Sequence, residues 1–444
     1  MSQTATSVSP ATLRKVISAA SIGNFVEWFD FALYGFLATL LAAHFFPSGD
    51  ATAGLLKTFA VFAVAFAFRP LGGIVFGLLG DRIGRKRTLA LTILIMAGAT
   101  ALIGILPSYA TIGIWAPILL TAIRCAQGFS AGGEYAGACA YVMEHSPRDR
   151  RGRYGSFVPV STFLAFASAA LTAWGLERLL GSAAMADWGW RIPFLAAAPL
   201  GLIGLYLRLK LDETPAFQAL ESEHEVSHSP LGETLRLQGR SILRLGAFIS
   251  LTALSFYMFT TYFSTYLQVA GGFNRAAALA ISLISLFAAA CACPLLGRVT
   301  DRIGRRMTTV LASLVLAVGV YPALLLASSG QFGSALLGCL LLGAGAVLCN
   351  VVTAPLLSEV FPTRTRYTAG AITYNLAYTI FGGTAPLMAT WLIGATGSNL
   401  SPALYLILIA LLGLVGGLSL PETSRVDLDE IAEGGETGYR AVRG

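Results

Sequence analysis

The sequence predicts an all-α polytopic membrane protein, with twelve transmembrane helices arranged as two pseudo-symmetric bundles of six. Three observations lead there: a low charge content, apolar runs of membrane-spanning length, and sequence markers that occur once in each half. Of 444 residues, 55 % are hydrophobic and only 12 % are charged, whereas a soluble domain carries roughly 25 % charged residues. So little polar surface cannot coat a water-soluble particle, and the bilayer is the expected solvent.

The apolar runs come first. Crossing the ~30 Å hydrocarbon core takes about 20 helical residues. Runs of that order fall at 18–42, 55–79, 88–107, 113–142, 154–178 and 190–209 in the first half. In the second half they fall at 242–270, 277–297, 308–328, 332–357, 367–393 and 402–420. These are spans one to twelve. Residues 1–210 are thus expected to form an N-terminal bundle and 242–420 a C-terminal one. They are joined by a polar linker at 211–241 and followed by a polar tail at 421–444. The tail shows no heptad pattern. The polar start leads into an apolar run that continues as a full span, so no cleavable signal is expected.

Charge sets the orientation. Of the 30 Lys and Arg, 24 fall in termini and loops on one side. Lys57, Arg178, Arg191 and Arg275 lie on the other side, and Arg69 and Arg124 lie inside spans. The positive-inside rule then puts both termini in the cytoplasm of a cell with this protein in its inner membrane. The net charge of +7 is a topology signal. It forms no basic face with base-reading groups, so nucleic acid is not an expected partner.

The repeat is legible without alignment. Gly77-Leu-Leu-Gly-Asp81-Arg82-Ile83-Gly84-Arg85-Lys86 follows span two, and Gly297-Arg-Val-Thr-Asp301-Arg302-Ile303-Gly304-Arg305-Arg306 follows span eight. Glu144, with Arg151 seven residues on, follows span four, and Glu359, with Arg366 seven residues on, follows span ten. Glu213-Thr214 after span six is echoed by Glu422-Thr423 after span twelve. A duplicated six-helix half is an architecture in which two bundles rock about a midplane site.

Candidate site residues follow from buried charge. Glu27, Asp30, Arg69, Arg124 and Glu134 sit within spans, where each costs roughly 2.5–3.5 kcal/mol at the bilayer centre and normally faces the bundle interior. All five belong to the first half, a segregation not expected of packing glue. At about 100° per residue, Glu27, Asp30 and Tyr34 share an arc of about 60°, and Asn24 joins that face. Arg124, Gln127, Ala131 and Glu134 share an arc of about 80° along one continuous span four. Beside them Gly128, Gly132, Ala136 and Ala140 form a small-residue stripe suited to close helix approach. Three carboxylates against two guanidiniums leave one uncompensated negative charge, so one carboxylate should bind a proton when the site closes. The aromatics of span seven, Phe256, Tyr257, Phe259, Tyr262, Phe263 and Tyr266, offer either ordinary packing or faces for a quaternary ammonium.

Other chemistries lack their equipment. The six cysteines (Cys125, Cys139, Cys291, Cys293, Cys339 and Cys349) show no CxxC spacing and no neighbouring histidine, so neither a metal site nor a disulfide framework is indicated. No nucleophile constellation or cofactor motif marks an enzyme. No cofactor is expected.

These residues resemble the major facilitator superfamily, whose signature loop is Gly-x-x-x-Asp-Arg-x-Gly-Arg-Arg/Lys. Within it the chain is most similar to metabolite:proton symporters, and among those to bacterial proline/glycine betaine transporters. The resemblance rests on Gly23-Asn-Phe-Val-Glu27-Trp28-Phe29-Asp30-Phe31, Arg69-Pro70-Leu-Gly-Gly73, Gln127-Gly-Phe-Ser-Ala-Gly-Gly-Glu134-Tyr135, Trp188-Gly-Trp190-Arg191-Ile-Pro193-Phe194 and Glu213-Thr-Pro-Ala-Phe217. It implies a proton-coupled symporter moving a small polar metabolite by alternating access, with the substrate, protons and the lipid bilayer as partners. A zwitterionic osmolyte is the leading substrate, an organic acid (dicarboxylate, citrate- or shikimate-like) the alternative, and a transporter-like sensor a third reading. It also implies a cytoplasmic latch built from Asp81, Arg82, Arg85, Glu144, Asp301, Arg302, Arg305 and Glu359. Two departures stand out. Pro159 occupies a position near which the compared transporters carry an acidic residue, and the coiled-coil tail that some of them use for osmotic control has no counterpart in 421–444.

Overall fold

The computed structural model describes residues 10–83, 85–132, 134–209, 230–362, 366–424 and 426; the side chains of Asp81, Arg82, Arg85 and Glu134 lie outside the described ones. Helices dominate because a chain in hydrocarbon must satisfy every backbone N–H and C=O internally. Among the described residues, nine helices are long and apolar enough to cross a membrane. The shorter apolar stretches Ala90–Ile105 and Arg191–Ile203 supply spans three and six. Span four, as two consecutive helices, completes the twelve.

One expectation changes. Span four is not continuous: it breaks between Trp115–Ser130 and Glu134–Glu144. The common arc drawn through Arg124 and Glu134 therefore does not hold across the break. The physical reason is the run Ala131-Gly132-Gly133, in which adjacent glycines weaken a helix interior. The helix of span seven begins at Pro230, within the 211–241 segment, and runs to Tyr257. Residues 210–229 lie outside the described ones. Asn24 binds span five, donating to Ser161 at 2.8 Å and Thr162 at 2.7 Å.

Spans one and five pack together, and span five, Phe157–Ala184, runs along span eight, Arg275–Ile303, across the boundary between the halves. The middle of this boundary is an aromatic seam. Trp28 of span one meets Phe256 at 5.3 Å and Tyr257 at 6.2 Å between ring centroids. Tyr135 stacks on Tyr374 at 4.6 Å, and Tyr374 on Tyr378 at 4.0 Å. Contacts between the halves run from the Arg275–Glu177 pair at one end to the Asp301–Gly152 bond at the other.

Candidate transport site and gates

Two helix breaks position the site. Span two is interrupted at Phe68, between Ala51–Ala67 and Arg69–Ile83. Pro70 causes this, having no N–H to return to the carbonyl of Phe66 four residues back. Thr379 of span eleven donates to that carbonyl at 2.9 Å. The break in span four likewise frees two carbonyls. Arg69 donates to Ala131 O at 3.2 Å, and Asn375 of span eleven donates to Gly132 O at 2.7 Å. Spans two and four can sit backbone to backbone because a Cβ on Gly128 would strike Ala65 O, and one on Gly132 would strike Arg69 O. Irregular backbone at membrane depth is tolerated only where neighbouring groups re-satisfy it.

Arg69 emerges at the first break. Its Nη2 donates to Glu27 Oε1 at 3.3 Å, and both side chains are at least 95 % buried, at 1 % and 4 % exposure. Trp28, Phe31 and Phe66 place their rings 5.2–5.6 Å from its guanidinium carbon. Arg124 lies in a second aromatic niche, 4.1 Å from the Tyr34 ring and 5.1 Å from Phe31. Arg124 donates to Gln127 Oε1 at 2.7 Å, and Gln127 donates to Thr100 Oγ1 at 2.6 Å. Thr100 donates its own hydroxyl to Met96 O at 2.9 Å and lies beside the buried carboxylate of Asp30. Tyr34 anchors its hydroxyl on Thr58 O at 2.9 Å.

Four of the five predicted charged groups thus form two neighbouring centres, Glu27–Arg69 and Asp30–Thr100–Gln127–Arg124, both against the Phe31 ring. The side chain of the fifth, Glu134, lies outside the described ones. Each guanidinium keeps two buried nitrogens without a hydrogen-bond partner: Nε and Nη1 of Arg69, and Nε and Nη2 of Arg124. A small cavity beside Glu27 is lined by Gly23, Val26, Thr92, Met96, Ser130 and Ala131. Sequence reasoning missed Thr100, Asn375 and Thr379, which carry no charge. The Arg69-Pro70 pair and the Gly132-Gly133 pair were the available signals that backbone groups would need such partners.

The cytoplasmic markers converge. Asp301 of the second half accepts the backbone N–H groups of Gly152 and Arg153 of the first half, at 2.7 and 2.8 Å. Arg305 donates to Asp301 at 2.9 Å and, through Nε and Nη2, to both oxygens of Glu359 at 3.0 Å. The two Glu-to-Arg echoes cross over: Arg151 approaches Glu359 at 3.9 Å, and Arg366 approaches Glu144 at 3.7 Å. Glu422 accepts the N–H groups of Arg305 and Arg306 at 2.8 and 3.1 Å, while Thr423 donates to Glu359 at 2.8 Å. Arg302 makes none of these bonds, and the side chains of Asp81, Arg82 and Arg85 lie outside the described ones. At the opposite end a pair not anticipated from sequence joins the halves: Arg275 donates to Glu177 at 3.2 Å, and Ser182 supports Glu177 at 2.7 Å. The cysteines form no disulfide.

Known proteins bear on this arrangement. A sequence model of the Major Facilitator Superfamily matches residues 20–386. The "Proline/betaine transporter" of Escherichia coli (strain K12) is 40 % identical over 434 residues, covering 94 % of this chain and 85 % of its own length. The "Glycine betaine/proline/ectoine/pipecolic acid transporter OusA" of Dickeya dadantii is 39 % identical, covering 95 % of this chain and 86 % of its own length. In structure, the xylose transporter XylE from E. coli in a partially occluded inward-open conformation has a TM-score of 0.70. It covers 94 % of this chain and 100 % of its own at 18 % identity, a likeness of fold alone.

Proposed function

Because the chain belongs to the major facilitator superfamily and is a multi-pass membrane transporter rather than an enzyme, we propose that it is a proton symporter importing a zwitterionic osmolyte of the proline or glycine betaine class. The observation that carries this reading is the pairing, at the midplane, of buried carboxylates with guanidiniums that retain unpartnered N–H groups beside aromatic faces. Free guanidinium N–H groups suit a substrate carboxylate, and the rings suit an ammonium. The named relatives move zwitterions.

Charge accounting favours the same class. Glu27, Asp30 and Glu134 against Arg69 and Arg124 leave the site at −1, or neutral after one proton. A zwitterion keeps the loaded, protonated site neutral. A dicarboxylate brings −2, and no Arg or Lys is buried at the midplane of the second half among the described residues to meet it. Asp30 is the leading proton carrier, with Glu27 and Glu134 in reserve, and Thr100 and Gln127 link it to Arg124.

In this reading the two bundles, 1–210 and 242–420, rock about that site between two latches. Asp301, Arg305, Glu359 and the crossed arginines hold the cytoplasmic side, with Asp81, Arg82 and Arg85 as counterparts in the repeat. The Glu177–Arg275 pair holds the other side. Both termini face the cytoplasm.

Uptake into proteoliposomes under an imposed pH gradient tests the function. Proline or glycine betaine should accumulate, and excess of either should compete better than succinate, 2-oxoglutarate or citrate at neutral pH. Strong competition by a dicarboxylate with none by either osmolyte would overturn the charge accounting and the substrate class together.

A further inference from the structure

The second half is puzzling as a partner in substrate binding, since the charged midplane groups all belong to the first. Its contribution must come from neutral donors. Three buried tyrosine hydroxyls at the seam have no hydrogen-bond partner: Tyr135, Tyr257 and Tyr374. Their ring neighbours separate them. Tyr135 and Tyr374 stack on each other. Tyr257 alone of the three packs against Phe66 and Phe62, whose rings lie against Arg69 and Arg124.

Resting on the proposed function above, we propose that Tyr257 is the carboxylate-recognition residue of the second half, its hydroxyl and the free N–H groups of Arg69 receiving the substrate carboxylate from opposite sides of the seam. The placement is built rather than incidental. The Tyr257 ring meets Phe66 edge-on at 5.2 Å and Phe62 at 5.6 Å, and Phe66 is one of the rings around Arg69. A π-helical turn, Met258–Tyr262, begins at the next residue, and a second, Tyr378–Gly382 of span eleven, packs against Tyr257 itself. Such turns recur at functional sites. Gly382 leaves room for the ring: a Cβ there would sit 2.8 Å from Tyr257.

The chemistry selects an anion. Arg69 Nε and Nη1 are donors only, and a tyrosine hydroxyl can add one more. A buried hydroxyl without a partner destabilises the fold, so phenylalanine would serve packing better than the tyrosine that is present. The hydroxyl makes sense when a ligand supplies the acceptor. Because one donor comes from each half, the bound carboxylate would also tie the halves together during closure.

Tyr257→Phe in the full-length protein tests this. In the ligand-free state its thermal unfolding temperature should equal or exceed the native value, because only an orphaned hydroxyl is removed. KM for glycine betaine and proline should rise at least about tenfold, with the maximal rate within about threefold of native. Tyr135→Phe, similarly buried but touching neither Phe62 nor Phe66, should leave KM unchanged. Osmolyte uptake by the native protein, measured first, tests the functional reading by itself. Should the native protein prefer an organic acid, the same tenfold rise is expected with that acid, because it too presents a carboxylate. An unchanged KM in an active Tyr257→Phe protein overturns the assignment. A lowered ligand-free unfolding temperature does so as well, since the hydroxyl would then be structural.

Discussion

At the depth of the aromatic seam the first half buries Glu27, Asp30, Arg69 and Arg124, whereas the second buries Thr252, Thr353, Asn350 and a row of tyrosines. Both halves descend from one helix plan with the same loop markers, so the contrast is chemical. The first half sets Arg69 at the break in span two, among aromatic rings and a carbonyl freed in span four, while Glu27 and Asp30 sit on the unbroken helix of span one. The second half keeps its helices hydrogen-bonded through π-helical turns and offers hydroxyls and amides. Thr379 and Asn375 use that capacity to bind the broken backbone of the other half. One half carries the charge, and the other completes its enclosure.

The most severe way to break this contrast is to unbalance the charged half. Arg69→Ala removes the guanidinium from Glu27 and releases Ala131 O, so a loss of about 3–5 kcal/mol is expected, as for breaking a buried pair, with uptake abolished. In the neutral half, Thr353→Val removes a 3.0 Å bond to Thr252 and should cost only about 1 kcal/mol. Chemical denaturation in detergent reads both, and equal losses would erase the distinction.

A second test targets function without removing volume. Asp30→Asn should abolish accumulation driven by a pH gradient while leaving some substrate counterflow. Full accumulation by this variant would remove Asp30 from the proton path.

The latches allow a comparison of ends instead of halves. Asp301→Asn replaces one of the two oxygens that accept from Gly152 and Arg153 with an NH2 group and should raise cysteine labelling of the cytoplasmic pathway several-fold. Asp81→Asn, its counterpart in the repeat, should act in the same direction. Glu177→Gln should raise labelling on the opposite side. Unchanged labelling in all three, with normal expression, would reduce these residues to topology signals.

The smallest effect belongs to Glu422. Burial pushes its carboxyl up, but the N–H groups of Arg305, Ser424 and Arg306 outweigh that and hold it below its ordinary 4.5. A depressed folded value means the stabilisation is present above about pH 4.5 and fades as pH falls through the folded pKa. Glu422→Ala should cost about 1 kcal/mol or less, since the group is partly exposed. It should also flatten the acid side of the stability curve. An unaltered acid limb would mean the tail does not cap span nine.

The legible part of the site was the part written in charge. Glu27, Asp30, Arg69 and Arg124 stood out because ionisable groups in apolar runs are costly, and the structure brings those four together. The crossed pairs Arg151–Glu359 and Arg366–Glu144 give the repeated spacing a physical meaning that spacing alone did not reveal. The partners of Asn24 on span five were hidden because helical periodicity fixes an angle but not the neighbour that meets it. Thr100, Asn375 and Thr379 were invisible because a polar neutral side chain in a span is unremarkable until a partner is known.

By itself the sequence determined the solvent, the number of spans and the duplication, because each follows from local composition and spacing that hydrocarbon constrains strongly. It also determined which residues had to be sheltered. Only the tertiary structure decided how: which carboxylate meets which guanidinium, where spans two and four part, and which half repairs the freed carbonyls. Those outcomes depend on contacts between residues such as Gly132 and Asn375, 243 positions apart. Pairing energies across that separation arise only after the helices have packed.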